Sequence, residues 1–399
     1  MNAPASTAGF DLPPRLRAIH EAEYPRFSEA EMARRRDAVA ALLGEAGLDH
    51  LVYCGANRFG SAVQWLTGWP VTAEAVGVFT PGEADAMFVQ HVNHAPLARR
   101  LAAPAEVAWG GGSCVAAAVA VLEKRGARAG RVGLIGPMTF EQHERLASTF
   151  GPIVNLNRRY GRLRQVKSAE ELDWLRIGAA LTDRGMLALR DGLRPGLSER
   201  DLADLVERAY VRLGGTNVIH FFGVTSMAAP RLGVPTQFVA NRTVARGDAV
   251  VAEISAAFWE HPGQVLRSFA VGAEPTPLYR DLHAAADAAF AAVAGVLKAG
   301  ALPQQVIDAA GVIEDAGFTI IDDLLHGYGG GYLPPILGSK SRPSADVPDE
   351  PFRAGMVVVI QPNVVTRDGR AGVQTGEMVL VTATGSETFH NVARGFLRV

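Results

Sequence analysis

The chain has 399 residues, long enough for two or three domains, with 48% hydrophobic and 20% charged residues. A formal net charge of −2, with no basic stripe interleaved with aromatics, gives nucleic acid no electrostatic footing. No apolar run approaches the ~18–20 residues that a membrane-spanning helix needs. The opening MNAPASTAGFDLPPR lacks the basic start and apolar core of a secretory signal, so a cytoplasmic protein with no membrane partner is expected.

In chain order, residues 1–26 read as a short disordered arm. Glu29–Ala46 repeats apolar residues on one helical face and stops at Gly47. Leu51–Cys54 is a short apolar strand, and Ala75–Thr80 and Ala86–Gln90 flank the turn Pro81-Gly82-Glu83-Ala84-Asp85 as a hairpin. Val132–Ile135 adds a strand and Phe140–Phe150 a helix. Cys54 and Cys114 sit in apolar surroundings and read as buried, reduced thiols. Residues 27–160 therefore predict a small α/β domain. A boundary follows at about 158–168, where Ser168 and Glu171 form a capping box that opens a long helix. Helices are expected at 169–192 and 198–213, then a strand at Ala249–Ser255 after the turn Gly247-Asp248. Further helices fall at Asp281–Gly300 and Pro303–Ala316, and strands at 356–361 and 377–382. Residues 161–399 form the second domain, so the fold class is α/β followed by α+β.

Three stretches carry the chemistry: Val251–Gly272 (VAEISAAFWEHPGQVLRSFAVG), Leu325–Pro335 (LHGYGGGYLPP) and Gly355–Val381 (GMVVVIQPNVV…GVQTGEMVLV). They resemble the creatinase/prolidase/methionine-aminopeptidase family, and the likeness runs from about Phe27 to the end. It implies a creatinase-like N-terminal domain followed by a catalytic domain of the pita-bread fold. Metal-using members of that family hold two divalent ions with two aspartates, a histidine and two glutamates. Matched motif by motif, the aspartates fall on Glu253 and Gln264, the histidine on His326, and the glutamates on Gln361 and Gly376. Two further family histidines fall on Leu232 and Leu333.

Two divalent ions bring four positive charges, and hard cations need anionic oxygens to replace their water. Glu253 and a displaced Glu377 cannot offset that charge, so no metal or other cofactor is expected. The resemblance also reaches metal-independent members such as creatinase and the ectoine hydrolases. The expected function is accordingly a metal-independent hydrolase that cleaves a C–N bond in a small, nitrogen-containing, non-peptide substrate. That bond would belong to an amide, an amidine, a urea-like group or an N-heterocyclic ring, and the enzyme would not be a typical Xaa-Pro aminopeptidase. The alternatives are an inactive small-molecule-binding member and a divergent single-metal peptidase or lyase using Glu253, His326 and Glu377.

Glu253, on an apolar strand, has its pKa raised by desolvation and suits a general base or a nucleophile. The competing structural reading is a carboxyl simply satisfied by Gln264 or Gln361. His326 is placed as proton shuttle, and Gln264 and Gln361 as substrate-holding amides. His220, His261, Arg231, Tyr328 and Glu377 are further candidate pocket residues. Gly327–Gly331 is not a phosphate loop, since it lacks the lysine and the strand–loop–helix setting. The segment Asn57-Arg58-Phe59…Trp65-Leu66-Thr67-Gly68-Trp69 resembles a family loop that reaches the partner's active site in dimers. That likeness implies a homodimer in which Arg58, Phe59 and Trp69 close the pocket.

Overall fold

The structure, a computed structural model, describes residues 10–57, 59–102 and 105–399. The chain divides into two compact units, one of Glu21–Arg164 and one of Gln165–Val399 together with the residues through His20.

The first unit is a mixed sheet. Its strands lie in the order Glu106–Trp109, Ala86–Val89, Glu74–Phe79, His50–Ala56, Val132–Ile135, Val154–Asn155. The expected hairpin is present, with Val76 opposite Phe88 and Val78 opposite Ala86. The helix Glu29–Ala46 starts at the Ser28 cap and ends on Gly47 in the left-handed region (φ 65°), where a side chain would be strained. Cys54 and Cys114 are buried, free thiols in the apolar cluster formed with Val52, Val76, Val115 and Leu122. Trp69 is buried and Phe59 is 67% exposed. Arg58 lies outside the described residues.

The second unit begins before the first. Pro14–His20 is a helix, so the expected arm of residues 1–26 is corrected there. Arg15 pairs with Asp173 at 2.7 Å, and the His20 ring contacts the Leu213 carbonyl and Phe258. The long helix Ala169–Gly192 opens on the expected capping box, in which Ser168 and Glu171 satisfy each other's backbone N–H. It and Glu199–Val211 pack on one face of an antiparallel sheet. That sheet runs Leu333–Leu337, Leu325–Gly327, Val357–Ile360, Gly376–Val381, Val265–Ala270, Asp248–Phe258, Thr216–Ser226. A separate three-stranded sheet joins Thr319–Ile320, Asn363–Val365 and Gly372–Gln374. The helix expected over Pro303–Ala316 breaks into Pro303–Ala309 and Val312–Asp315, with Gly311 between them. Among the described residues, no helix is long and apolar enough to cross a membrane.

Candidate active site

Register decides which side chains can meet, because directly opposed residues share a face and neighbours along a strand do not. Glu253 is paired with Leu266, which is paired with Gly376. His326 opposes Val359, which opposes Met378, two residues on from Gly376. Gln264 and Gln361 keep the same parity, so all five positions that the resemblance matches to family metal ligands lie on one sheet face.

The side chains there form a buried polar cluster. Glu253 Oε1 accepts the Gln264 amide at 2.8 Å, and the same Nε2 donates to Gln361 Oε1 at 3.3 Å. Burial pushes the Glu253 carboxyl up to about 7, helped by the charge of Asp322 and opposed by hydrogen bonds from Gln374 and Gln264. His326 is fully buried and held down at about 4, mainly by burial, against the Gly327 carbonyl, Gln361 and Asp322. It is therefore neutral at pH 7. Its Nδ1 lies 3.0 Å from the Gly327 carbonyl, which can only accept, so Nδ1 carries the proton and Nε2 is bare. The ring stacks on Tyr332 at 3.8 Å and meets the edge of Tyr328, whose hydroxyl donates to Ser255 Oγ at 3.3 Å. His326 Nε2, Gln264 Oε1 and Gln374 Oε1 are buried with no hydrogen-bond partner. Unpaired buried polar atoms cost free energy, and their clustering marks a place built to receive something polar.

Three expected pocket residues project from the wrong face. His220 opposes Ile254, the neighbour of Glu253, and its ring pairs with Glu207 (2.5 Å) and Asn217 (2.9 Å). His261 opposes Phe258 and packs edge-on against Trp174 of the long helix at 5.1 Å. Glu377 is one residue past Gly376, so alternation turns it away; Arg267 binds its carboxylate at 2.6 Å. Arg231 is exposed, with its backbone N–H on Thr225 Oγ1 at 3.0 Å, and is not among the groups gathered around Glu253. The residues that the sequence reading missed are Asp322, Asp323, Asn363 and Gln374. Their only signals were the acidic doublet just before LLHG and polar residues inside quoted motifs.

The donor set does not fit a pair of divalent ions. Of the five positions, Glu253 alone supplies a carboxylate, Gln264 and Gln361 are neutral amides, and Gly376 supplies nothing. Nor is there room to restore the missing group simply: a Cβ on Gly376 would lie 2.5 Å from the Ile360 carbonyl oxygen and 2.9 Å from Gln361 Cα. Among the described residues, no group of three or more His, Cys, Asp or Glu is placed to hold an ion.

Comparison with known proteins fixes the setting. The sequence profile described as metallopeptidase family M24 matches residues 173–383, more than half of the chain. The Xaa-Pro dipeptidase of Pyrococcus furiosus is 24% identical over 240 residues, 59% of this chain and 66% of that protein. A probable dipeptidase, PepE, of Mycobacterium bovis is 28% identical over 241 residues, 58% of this chain and 60% of that protein. The chain thus spans less than two thirds of the length of each of these two relatives. A solved Xaa-Pro dipeptidase from Bacillus anthracis superposes with a TM-score of 0.79 at 17% identity, covering 92% of this chain and all of that one. That superposition shows the expected fold, an N-terminal α/β domain followed by the pita-bread domain. These relatives are named for dipeptides, which overturns both the expected hydrolase of small non-peptide nitrogen compounds and its separation from the Xaa-Pro peptidases. Ligand replacement at four of five positions had suggested a changed substrate, but the relatives are named as dipeptidases, and the chain belongs to metallopeptidase family M24.

Proposed function

We propose that this chain is a peptidase acting on short peptides of the dipeptide class, with Glu253 in place of metal chemistry. One observation carries the reading: a buried carboxyl held near pH 7, on the face where this family works, hydrogen-bonded to amides instead of competing for an ion. A carboxyl poised near the working pH takes and returns a proton with little cost either way. Glu253 removes a proton from a water that attacks the peptide carbonyl, and later delivers that proton to the leaving amine. His326, neutral with Nε2 bare, accepts from the same water and orients it; in this reading it is not the proton shuttle expected from the sequence, because its ring does not charge near neutrality. The Gln361 amide lies beside Tyr332, whose hydroxyl burial keeps protonated. Together they supply the donors for the developing oxyanion.

The experiment is release of free amino acids from a panel of Xaa-Pro and other dipeptides, with and without chelator, for wild type and Glu253→Gln. Expected are turnover that survives chelation and a loss of about 10³-fold or more in kcat in the variant, as for an essential general base. Turnover that requires a stoichiometric divalent ion sinks the metal-independent part. Failure to cleave any peptide sinks the peptidase reading. The exposed Phe59 supports keeping the homodimer expectation, which sedimentation velocity checks: a monomer at micromolar concentration removes it.

A further inference from the structure

The Glu253 cluster is closed. Glu253, Gln264, His326, Tyr328, Gln361 and Gln374 are all buried, and the unpaired atoms His326 Nε2, Gln264 Oε1 and Gln374 Oε1 are sealed from solvent. A polar molecule can reach them only if a covering side chain moves aside. Tyr332 meets that need. It is 48% exposed, yet its ring lies flat on the fully buried His326 imidazole, with centroids 3.8 Å and planes 14° apart. The Tyr328 ring meets it nearly at right angles at 6.4 Å, and its hydroxyl end reaches the Gln361 side chain. Tyr332 thus runs from the surface to the cluster.

The backbone that carries this ring is suited to pivoting. Tyr328 N donates to the Val357 carbonyl at 2.8 Å, and Leu333 is paired with Gly327 across the strands, so both ends of the intervening link are fixed. Between those ends stand Gly329, Gly330, Gly331 and Tyr332, and Tyr332 carries the only side chain. The three glycines sit at φ 121°, 73° and 102°, where any other residue would be strained. At Gly331 close packing is not the reason for glycine, because a Cβ there would meet nothing within 4 Å. What glycine supplies at that position is backbone freedom.

We propose that Tyr332 is the gate of this site: turning on Gly329, Gly330 and Gly331, its ring lifts off the His326 imidazole to admit substrate and returns to seal the cluster from water. Opening separates one stacked pair and one polar contact while the strand pairs on both sides stay intact, so it is a local motion and not an unfolding. The gate governs access whichever bond is cut inside, so loss of the peptidase reading would leave it standing.

The test is site-resolved labelling by diethyl pyrocarbonate, which acylates a bare imidazole nitrogen, read by peptide mass spectrometry at about pH 7, where His326 is neutral. His390 is the matched control: its side chain is also fully buried, its Nδ1 lies 2.7 Å from Asp183 Oδ1, and its Nε2 is unpaired. It follows the strand Ser386–Thr388, outside the glycine link. Exposed His91 sets the open rate. In wild type, His326 is expected to label about tenfold or more faster than His390, because local opening is commoner than global opening. Tyr332→Ala should bring His326 to within about threefold of His91 and leave His390 unchanged, whereas Tyr332→Phe, which keeps the ring, should stay near wild type. Equal rates for His326 and His390 in wild type overturn the gate, since His326 then opens only with the whole fold. A His326 rate that Tyr332→Ala leaves unchanged overturns it too, since another group then forms the cover. If His390 rises in step in Tyr332→Ala, that variant has loosened, and the wild-type ratio with Tyr332→Phe decides: a ratio of about tenfold that the phenylalanine preserves supports the gate, and a ratio near one removes it.

Discussion

Glu253 is pulled in opposite directions, and its chemistry follows from which pull wins. Two glutamine amides favour the carboxylate; burial and Asp322 favour the acid and prevail, leaving the group at about 7 against an ordinary 4.5. A raised carboxyl means that the folded protein holds the proton more tightly than the unfolded chain. The associated stability is fully present below about 4.5 and is lost as pH rises through about 7. Glu253→Gln removes that loss. The variant should melt above wild type at pH 8, with the gap closing as pH falls toward 4.5, while losing turnover; melts across pH read the first effect and kinetics the second. A variant less stable than wild type at pH 8 would mean that the charged carboxylate is structurally required. The kcat/KM profile of wild type should rise through an acidic limb near pH 7, and a flat profile from pH 5 to 8 removes Glu253 as the base. At this scale the sequence placed Glu253 correctly on an apolar strand. It was silent on Asp322, because proximity across a sheet is not a local property.

Among the strands, alternation separates what sequence proximity had joined. Glu377 is adjacent to the family's glutamate position, yet one residue is a half-turn of the pleat, and Arg267 holds it on the far face. The same step misplaces His220, whose neighbour Phe221 is the residue opposite Glu253. Gly376 is the counterpart on the near face, and its lack of a side chain is now built into the packing. Gly376→Ala should destabilise the protein by about 1–3 kcal/mol, the usual cost of forcing a methyl into a full site, because its Cβ would meet the Ile360 carbonyl oxygen at 2.5 Å. Urea denaturation measures this, and an unchanged midpoint would show that the strand yields. Helix ends were the most legible elements: Ser168 and Gly47 act as cap and stop by local chemistry alone. The break at Gly311 was not legible, since apolar periodicity continues through it.

For the whole molecule, the consequential feature is that the second unit is discontinuous in sequence. Its first helix, Pro14–His20, is anchored by the Arg15–Asp173 pair and by the contacts of His20 with Leu213 and Phe258. The remainder of the unit resumes only at Gln165. Deleting residues 1–20 should therefore lower the melting temperature of the unit that carries Glu253 and leave the other unit's transition in place; differential scanning calorimetry resolves the two. A loss confined to the transition of Glu21–Arg164 would contradict this assignment. The sequence by itself determined the helix caps, the hairpin, the family frame and the chemical identity of each site position, because these depend on neighbours along the chain or on residue type. Only the tertiary structure decided which side chains share the working face, that Asp322 and Gln374 join them, and that His220, His261 and Glu377 do not. Strand register and burial, which set those outcomes, arise from contacts between segments dozens to more than a hundred residues apart.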